Sequence, residues 1–313
     1  MFDYTVLKYD GGYNDKVEEL ESEYRTFSSK YNSAVSSATA AADIIFSYLY
    51  QTYGPLKITC PTLSFCSPAM MALRNNHYVK FVDINPYLNQ AEYNDINMPV
   101  LYGGSSLSIK NSTIIDSAHN PKYKHVPSDY IFTSFFPTKP IKSFTGGMIS
   151  SVERINYFNI YRNFGRLDEV IYAGNKYYMD GFNASIILDN MKKYEEEVKL
   201  RKRNLSLYED LREYGLLVEH DDFSSYYLGS LVLKEPVAEQ LRVKTADLFN
   251  SRLHYPLLHK QLYFQNHPNC IINKCEYAEY IEHRLFTLPI AEHYQEYQIK
   301  FFKEEIIKCL RSL

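Results

Sequence analysis

The stretch Thr133–Ser151, "TSFFPTKPIKSFTGGMISS", decides how this chain is read. Two lysines, Lys139 and Lys142, stand between the aromatic pair Phe135-Phe136 and the glycine pair Gly146-Gly147. Pro137 and Pro140 bracket the first lysine. They forbid a regular helix there, because proline lacks an N–H and drives the preceding residue toward extended backbone. "DYIFTSFF" (129–136) and "GGMISS" (146–151) read as short apolar strands on either side. A lysine is thus offered from a stiff, half-buried turn between two strands.

Working outward, helical spacing covers 17–31, and "NSAVSSATAAADIIFSYLYQTY" (32–53) runs from an extended piece into an alanine-rich helix. Ser36, Ser37 or Thr39 would cap that helix. A short buried strand followed by a proline turn is expected at "KITCPTLSF" (57–65), and strands at "YVKFVDIN" (78–85), "MPVLYGG" (98–104) and "STIIDSAHN" (112–120). A helix is expected at "SPAMMALRNN" (67–76), with Pro68 in its first turn. Beyond Ser151 come helices over 153–169 and 181–215, then strands at 226–234 and 283–290 and helices over 238–253 and 294–313.

Short strands alternating with helices predict an α/β fold. The expected architecture is three-layer α/β/α around a mostly parallel sheet, with a smaller C-terminal α+β domain. The large domain is placed at residues 1–198 and the small one at 199–313. Such sheets hold their chemistry at the carboxyl ends of strands. Asp116, Ser134 and the Lys139 turn all lie there.

Composition limits the function. Thirty-four basic against 37 acidic residues give a formal charge of −3, which argues against a nucleic-acid binder held by a positive field. No apolar run is long enough for a membrane span, and the start "MFDYTVLKYDGG" (1–12) shows no secretion signal. The five cysteines are scattered without a CxxC pair, so neither a disulfide framework nor a metal site is expected, and a cytoplasmic setting fits.

A solvated lysine is protonated and a poor nucleophile; partial desolvation frees an amine for a carbonyl. An aldehyde cofactor such as pyridoxal phosphate (PLP) requires that amine, a carboxylate beside its pyridine nitrogen, a phosphate site and an aromatic plate. The chain has Asp116 after "TIID", a helix start at Ser37-Ala38-Thr39, a hydroxyl at Ser134 and a ring at Phe65. Taken singly, each has an ordinary reading as a turn, a cap or core.

Taken together, these residues resemble the DegT/StrS family of PLP-dependent sugar aminotransferases, of the fold-type-I (aspartate aminotransferase-like) group. "SFFPTKPIKSFTGG" places Gly146 and Gly147 seven and eight residues after Lys139, the family offset; Lys142 does not fit and reads as a solvated or phosphate-side lysine. "IIDSAHN" is similar to the family's Asp-Ala-Ala-Gln/His stretch, implying Asp116 at the pyridine nitrogen and His119 near the phenolic oxygen. "SSATAAAD" resembles the phosphate motif and implicates Ala38 and Thr39. "PTLSFC" resembles the segment whose ring, here Phe65, covers the cofactor.

The resemblance further implies a homodimer with shared sites, Asn175 or Lys176 reaching a partner's phosphate, and Tyr255 and His259 as substrate contacts. It implies amino transfer from L-glutamate to a nucleotide-linked keto-deoxysugar, for an amino sugar of a surface polysaccharide. The alternative reading is a PLP-dependent sugar dehydratase or a sugar-nucleotide-binding homologue without turnover; retention of Lys139 counts against the dehydratase. The chain departs from the family at Ala38 (usually glycine), at Phe144-Thr145 (usually Gly-Glu) and at Phe164 (usually histidine).

Overall fold

A computed structural model describes residues 14–94 and 96–313. The start read as free of a secretion signal lies outside the described residues. In chain order the first elements are α1 (Asp15–Glu23), α2 (Arg25–Ser28), β1 (Tyr31–Val35), α3 (Ala38–Tyr53), β2 (Lys57–Pro61), α4 (Cys66–Arg74), β3 (Tyr78–Val82), β4 (Ile96–Asn97), β5 (Ser112–Asp116), β6 (Ser128–Ser134) and β7 (Gly147–Ser151). There follow α5 (Asn156–Tyr161), α6 (Gly181–Met191), α7 (Tyr194–Ser206), β8 (Gly215–Leu217), β9 (Gly229–Leu233), α8 (Ala238–Thr245), α9 (Leu262–Asn266), β10 (Cys270–Ile272), α10 (Glu276–Ile281), β11 (Leu285–Leu288) and α11 (Glu296–Arg311).

Strands β1-β7-β6-β5 form one half of the main sheet and β4-β2-β3-β10 the other. A parallel bridge from Val100 to Asp116 joins the halves. All pairings are parallel except those of β7, which runs antiparallel to both β1 and β6. Alternation along each strand feeds two cores. Val35, Ile114, Phe132 and Ile149 face α3, α4 and α5, where Ala41, Ile44, Ile45 and Phe46 are fully buried. Ala34, Ile115, Ile131 and Met148 face the other way, against Val17 and Leu20 of α1 and Ala184 and Ile187 of α6. Helices cover both faces, giving the three layers. A smaller antiparallel sheet, β11-β9-β8, packs with α8 and α11 around Leu231, Phe286, Ile299 and Ile306 to form a small lobe.

Several local expectations are corrected. The first helix does not reach Tyr31: Ser29 turns left-handed (φ 57°), and Tyr31 opens β1. The expected strand over 98–104 is only the Val100 bridge followed by a tight turn at Tyr102–Gly104, where Gly103 and Gly104 take φ of 64° and 96°. The helix expected over 153–169 is the six-residue α5, ended where Phe164 and Gly165 take positive φ. The helix expected over 181–215 is α6, α7 and a short 3₁₀ turn at Glu209–Glu213. The helix expected over 238–253 stops at Thr245, leaving 250–255 as an irregular segment with a bend at His254. Strand β10 was not anticipated, and it returns to the edge of the main sheet beside β3.

Among the described residues no helix is long and apolar enough to cross a membrane, and no group of His, Cys, Asp or Glu is arranged to hold a metal.

Candidate active site

A cleft of about 690 Å³ opens at the carboxyl ends of β5 and β6, between the main sheet and the segment 250–255. Of the residues singled out in the sequence, Ala38, Thr39, Phe65, Asp116, His119, Ser134, Lys139 and Tyr255 all line it. They come from five separate stretches, and the topology of the sheet is what gathers them.

The helix start is built on a glycine. Strand β7 passes under the first turn of α3, linked to it by a bridge between Ser37 and Gly146. A side chain on Gly147 would collide with the Ser37 carbonyl and the Ala38 nitrogen. Ser37 is the cap: its Oγ accepts the Ala40 N–H at 3.1 Å. Ala38 and Thr39, whose N–H groups have no partners inside the helix, line the cleft at the positive end of a 16-residue helix. Ala38 does not take positive φ here, so alanine suits a position where glycine was expected.

Asp116 ends β5. Its backbone is paired on both sides, donating to the Pro99 carbonyl and accepting from the Leu101 N–H, so its Cα is held firmly. Its side chain is 3 % exposed, and Oδ1 accepts the Ala118 N–H at 2.9 Å. Oδ2 accepts nothing among the described residues. Burial pushes the Asp116 carboxyl up to about 6, against the lowering pull of that hydrogen bond and of Lys139. It is the only carboxylate lining the cleft among the described residues, and it is half satisfied.

Lys139 extends from the turn between β6 and β7. The Phe135 N–H donates to the Gly146 carbonyl and the Ser143 N–H to the Phe135 carbonyl, which pinches the turn at its base. The Lys139 N–H donates to the Phe136 carbonyl, and its Nζ lies 4.7 Å from the centroid of the Tyr227 ring. Ser134 lines the floor, where its Oγ accepts the Phe136 N–H at 3.3 Å.

His119 is buried and neutral: burial, with Lys139 and His254 nearby, holds its pKa well below the usual value. Nδ1 accepts the Gly103 N–H at 3.3 Å, so the ring proton sits on Nε2 and is donated to Tyr255 Oη at 3.0 Å. Burial keeps the Tyr255 phenol protonated, so its hydrogen remains available to the cleft. Phe65, 53 % exposed, meets Tyr255 edge-on at 5.7 Å.

Some expected residues lie elsewhere. His259 is a correction: it does not line the cleft but is buried between Thr62 Oγ1 (2.5 Å) and Glu279 Oε1 (3.1 Å). Asn175 and Lys176 are outside the cleft of their own chain; Asn175 donates to Tyr161 Oη and Asp43 Oδ2, and Lys176 lies over Tyr178. Lys142, with 37 % of its side chain exposed, is not turned to the cleft. It pairs with Glu292.

Among the lining residues missed are Tyr227, Arg252 and His254. Tyr227 was read as strand and Arg252 and His254 as the end of a helix and a loop. Burial, with Lys139 beside it, lowers His254 to about 4. Arg252 stands exposed at the cleft mouth, its Nε donating to Asn250 Oδ1 at 3.3 Å.

Comparison with known proteins agrees with this geometry. Residues 126–307, more than half of the chain, match the model of the DegT/DnrJ/EryC1/StrS aminotransferase family. No curated protein matches in sequence. Among solved structures, Helicobacter pylori PseC, an aminotransferase involved in pseudoaminic acid biosynthesis, superposes with TM-score 0.87 at 17% identity, covering 96% of this chain and 92% of that one. A DegT DnrJ EryC1 StrS aminotransferase from Brucella abortus gives 0.82 at 17% identity, covering 94% and 90%. The sugar aminotransferase CalS13 from Micromonospora echinospora gives 0.81 at 12% identity, covering 96% and 92%. At these identities the superpositions speak for the fold, that of the PLP-dependent transferases of type I, and the family match carries the assignment: the chain belongs to the DegT/DnrJ/EryC1/StrS aminotransferase family.

Proposed function

We propose that this chain binds pyridoxal phosphate in the cleft and moves an amino group from L-glutamate to a keto-deoxysugar carried on a nucleotide. The observation that carries the reading is the half-satisfied, buried Asp116 sharing one cleft with the Lys139 amine and the open helix start at Ala38-Thr39.

The residues fit the cofactor. Asp116 Oδ2 would accept the pyridine N–H, and the new positive partner would keep the carboxylate ionised despite burial. Ala38 and Thr39 would receive the phosphate with their N–H groups, the Thr39 hydroxyl and Ser134 assisting. Phe65 would cover one face of the ring, and the Tyr255–His119 pair would sit near its phenolic oxygen. Lys139 would hold it covalently through Nζ. Bound there, the cofactor supplies a carbonyl that joins to an amine and a ring that takes up charge from the substrate carbon.

Within each half-reaction Lys139 Nζ, released from the cofactor, would accept the proton from the substrate carbon and hold it for redelivery. The Tyr227 ring, 4.7 Å away, offers a face to the ammonium that results. Arg252 at the mouth suits the negative charge shared by both substrates, the donor's carboxylates and the acceptor's diphosphate.

The same reading includes a homodimer in which Asn175 and Lys176 reach a partner's phosphate. Phe164, Leu167, Val170 and Ile171, all exposed just before that loop, support it as a buried face. A cytoplasmic role in making amino sugars for a surface polysaccharide completes the proposal.

The test is spectroscopic. Purified protein given pyridoxal phosphate should gain a visible absorption band, and borohydride should fix the cofactor to Lys139. L-glutamate should then abolish the band and release 2-oxoglutarate. A band that no amino donor alters rules out amino transfer.

A further inference from the structure

Lys142 lies three residues past Lys139 in the same turn and is directed away from the cleft. Its ammonium pairs with Glu292 Oε1, on the segment after β11, with Glu197 Oε2 of α7 at 4.0 Å. The second oxygen of Glu292 accepts from Arg201 Nε at 2.9 Å and Nη2 at 2.7 Å. Arg201 is 5 % exposed. One carboxylate therefore links the lysine turn, α7 and the small lobe. Although burial pushes the Glu292 carboxyl up, Arg201 and Lys142 hold it down at about 2, so it stays charged.

The turn has two kinds of anchor. Ser143 Oγ and the Thr145 N–H donate to Asn183 Oδ1, and Asn190 donates to the Lys142 carbonyl, all from α6 on the large domain. Two ties cross to the other side. Tyr227 Oη donates to Thr138 Oγ1 at 3.3 Å, and Lys142 reaches Glu292. They fall just before and three residues after Lys139. An exposed ion pair is usually worth little, because two mobile side chains must be ordered to make it. Here Arg201 has already fixed the carboxylate, so Lys142 meets a preformed anchor.

The geometry points to Lys142 as a positioning residue: through Glu292 it sets where the Lys139 amine stands relative to the small lobe. This rests on the reading of Lys139 as the cofactor-holding amine and adds a residue that no family offset marks.

The informative variant is Lys142→Met, which removes the tie and leaves Arg201 paired with Glu292. Glu292→Gln would strand buried Arg201 and cost folding as well. Hydrogen exchange of the cofactor-free chain comes first. Amides of residues 138–145 should exchange about tenfold faster in Lys142→Met, with other regions unchanged and Lys142→Arg close to the parent. With pyridoxal phosphate added, borohydride labelling of Lys139 should slow and kcat should fall about tenfold, with the KM for L-glutamate within twofold, and Lys142→Arg should recover both.

Parental exchange in Lys142→Met overturns the proposal. So do faster exchange with unchanged labelling and turnover, or losses that Lys142→Arg does not recover. If the parent protein takes up no cofactor, the proposed function fails, and the exchange comparison still decides whether the tie orders the turn.

Discussion

A Cβ placed on Gly147 would stand 2.6 Å from both the Ser37 carbonyl oxygen and the Ala38 nitrogen, so strand β7 and the start of α3 touch through bare backbone. That contact aims the first turn of the helix into the cleft.

Gly147→Ala should therefore push the helix start off the sheet. The expected cost is about 2–4 kcal/mol, typical of overpacking against backbone that cannot yield. Thermal melting of the cofactor-free variant checks it. The affinity for inorganic phosphate should fall in parallel, read by how far phosphate raises the melting temperature.

The two lysines of the turn should separate cleanly. Lys139→Ala should leave no borohydride-fixed cofactor on the chain. Lys142→Ala should still be labelled at Lys139 as shown by peptide mass spectrometry. Label recovered at residue 142 in Lys139→Ala, or none at Lys139 in Lys142→Ala, would refute the register.

Asp116 makes a prediction about pH. Its folded pKa is raised from 3.8 to about 6, so its contribution to stability is complete below the unfolded value and is lost as pH rises through about 6. His254, lowered to about 4, acts in the opposite sense and loses its contribution as pH falls from its ordinary value. The parent protein's own curve mixes the two, and the difference between it and Asp116→Asn isolates the carboxylate. Without cofactor, Asp116→Asn should gain on the order of 2–3 kcal/mol relative to the parent between pH 4 and pH 7, while cofactor-dependent turnover drops about a hundredfold or more.

Arg252→Ala should raise the KM for an anionic substrate by about tenfold or more with kcat within a few-fold, the worth of one charge-assisted hydrogen bond at a wet cleft mouth. Steady-state kinetics with the donor and the acceptor varied separately would show which of the two Arg252 serves.

The parts of this site that could be read from the sequence are those coded locally. Lys139 is framed by two prolines and a glycine pair within eleven residues, and Asp116 closes an apolar strand; both signals are contained in short windows. Ser37 as cap follows from side-chain chemistry alone. Glu292, by contrast, is 150 residues from Lys142 in the chain, and no periodicity predicts that pairing. Arg252 and His254 enter the cleft because the helix before them ends at Thr245 and the chain then runs irregularly, a tertiary outcome that helical spacing over 238–253 concealed; Tyr227 enters from the loop before β9. Likewise β10 is three residues long and becomes a strand only because β3 offers it an open edge.

That small strand has a consequence for how this protein can be engineered. The chain leaves the main sheet along α7, builds the small lobe, comes back to pair Cys270–Ile272 with Val79–Phe81, and departs again. The lobe is sewn on by more than one seam, so it can pivot about them but cannot swing like a pendant on one thread. Grafting the lobe of a relative to redirect substrate choice would have to carry the returning strand along, since a swap made at a single junction would unpick the border of the large domain.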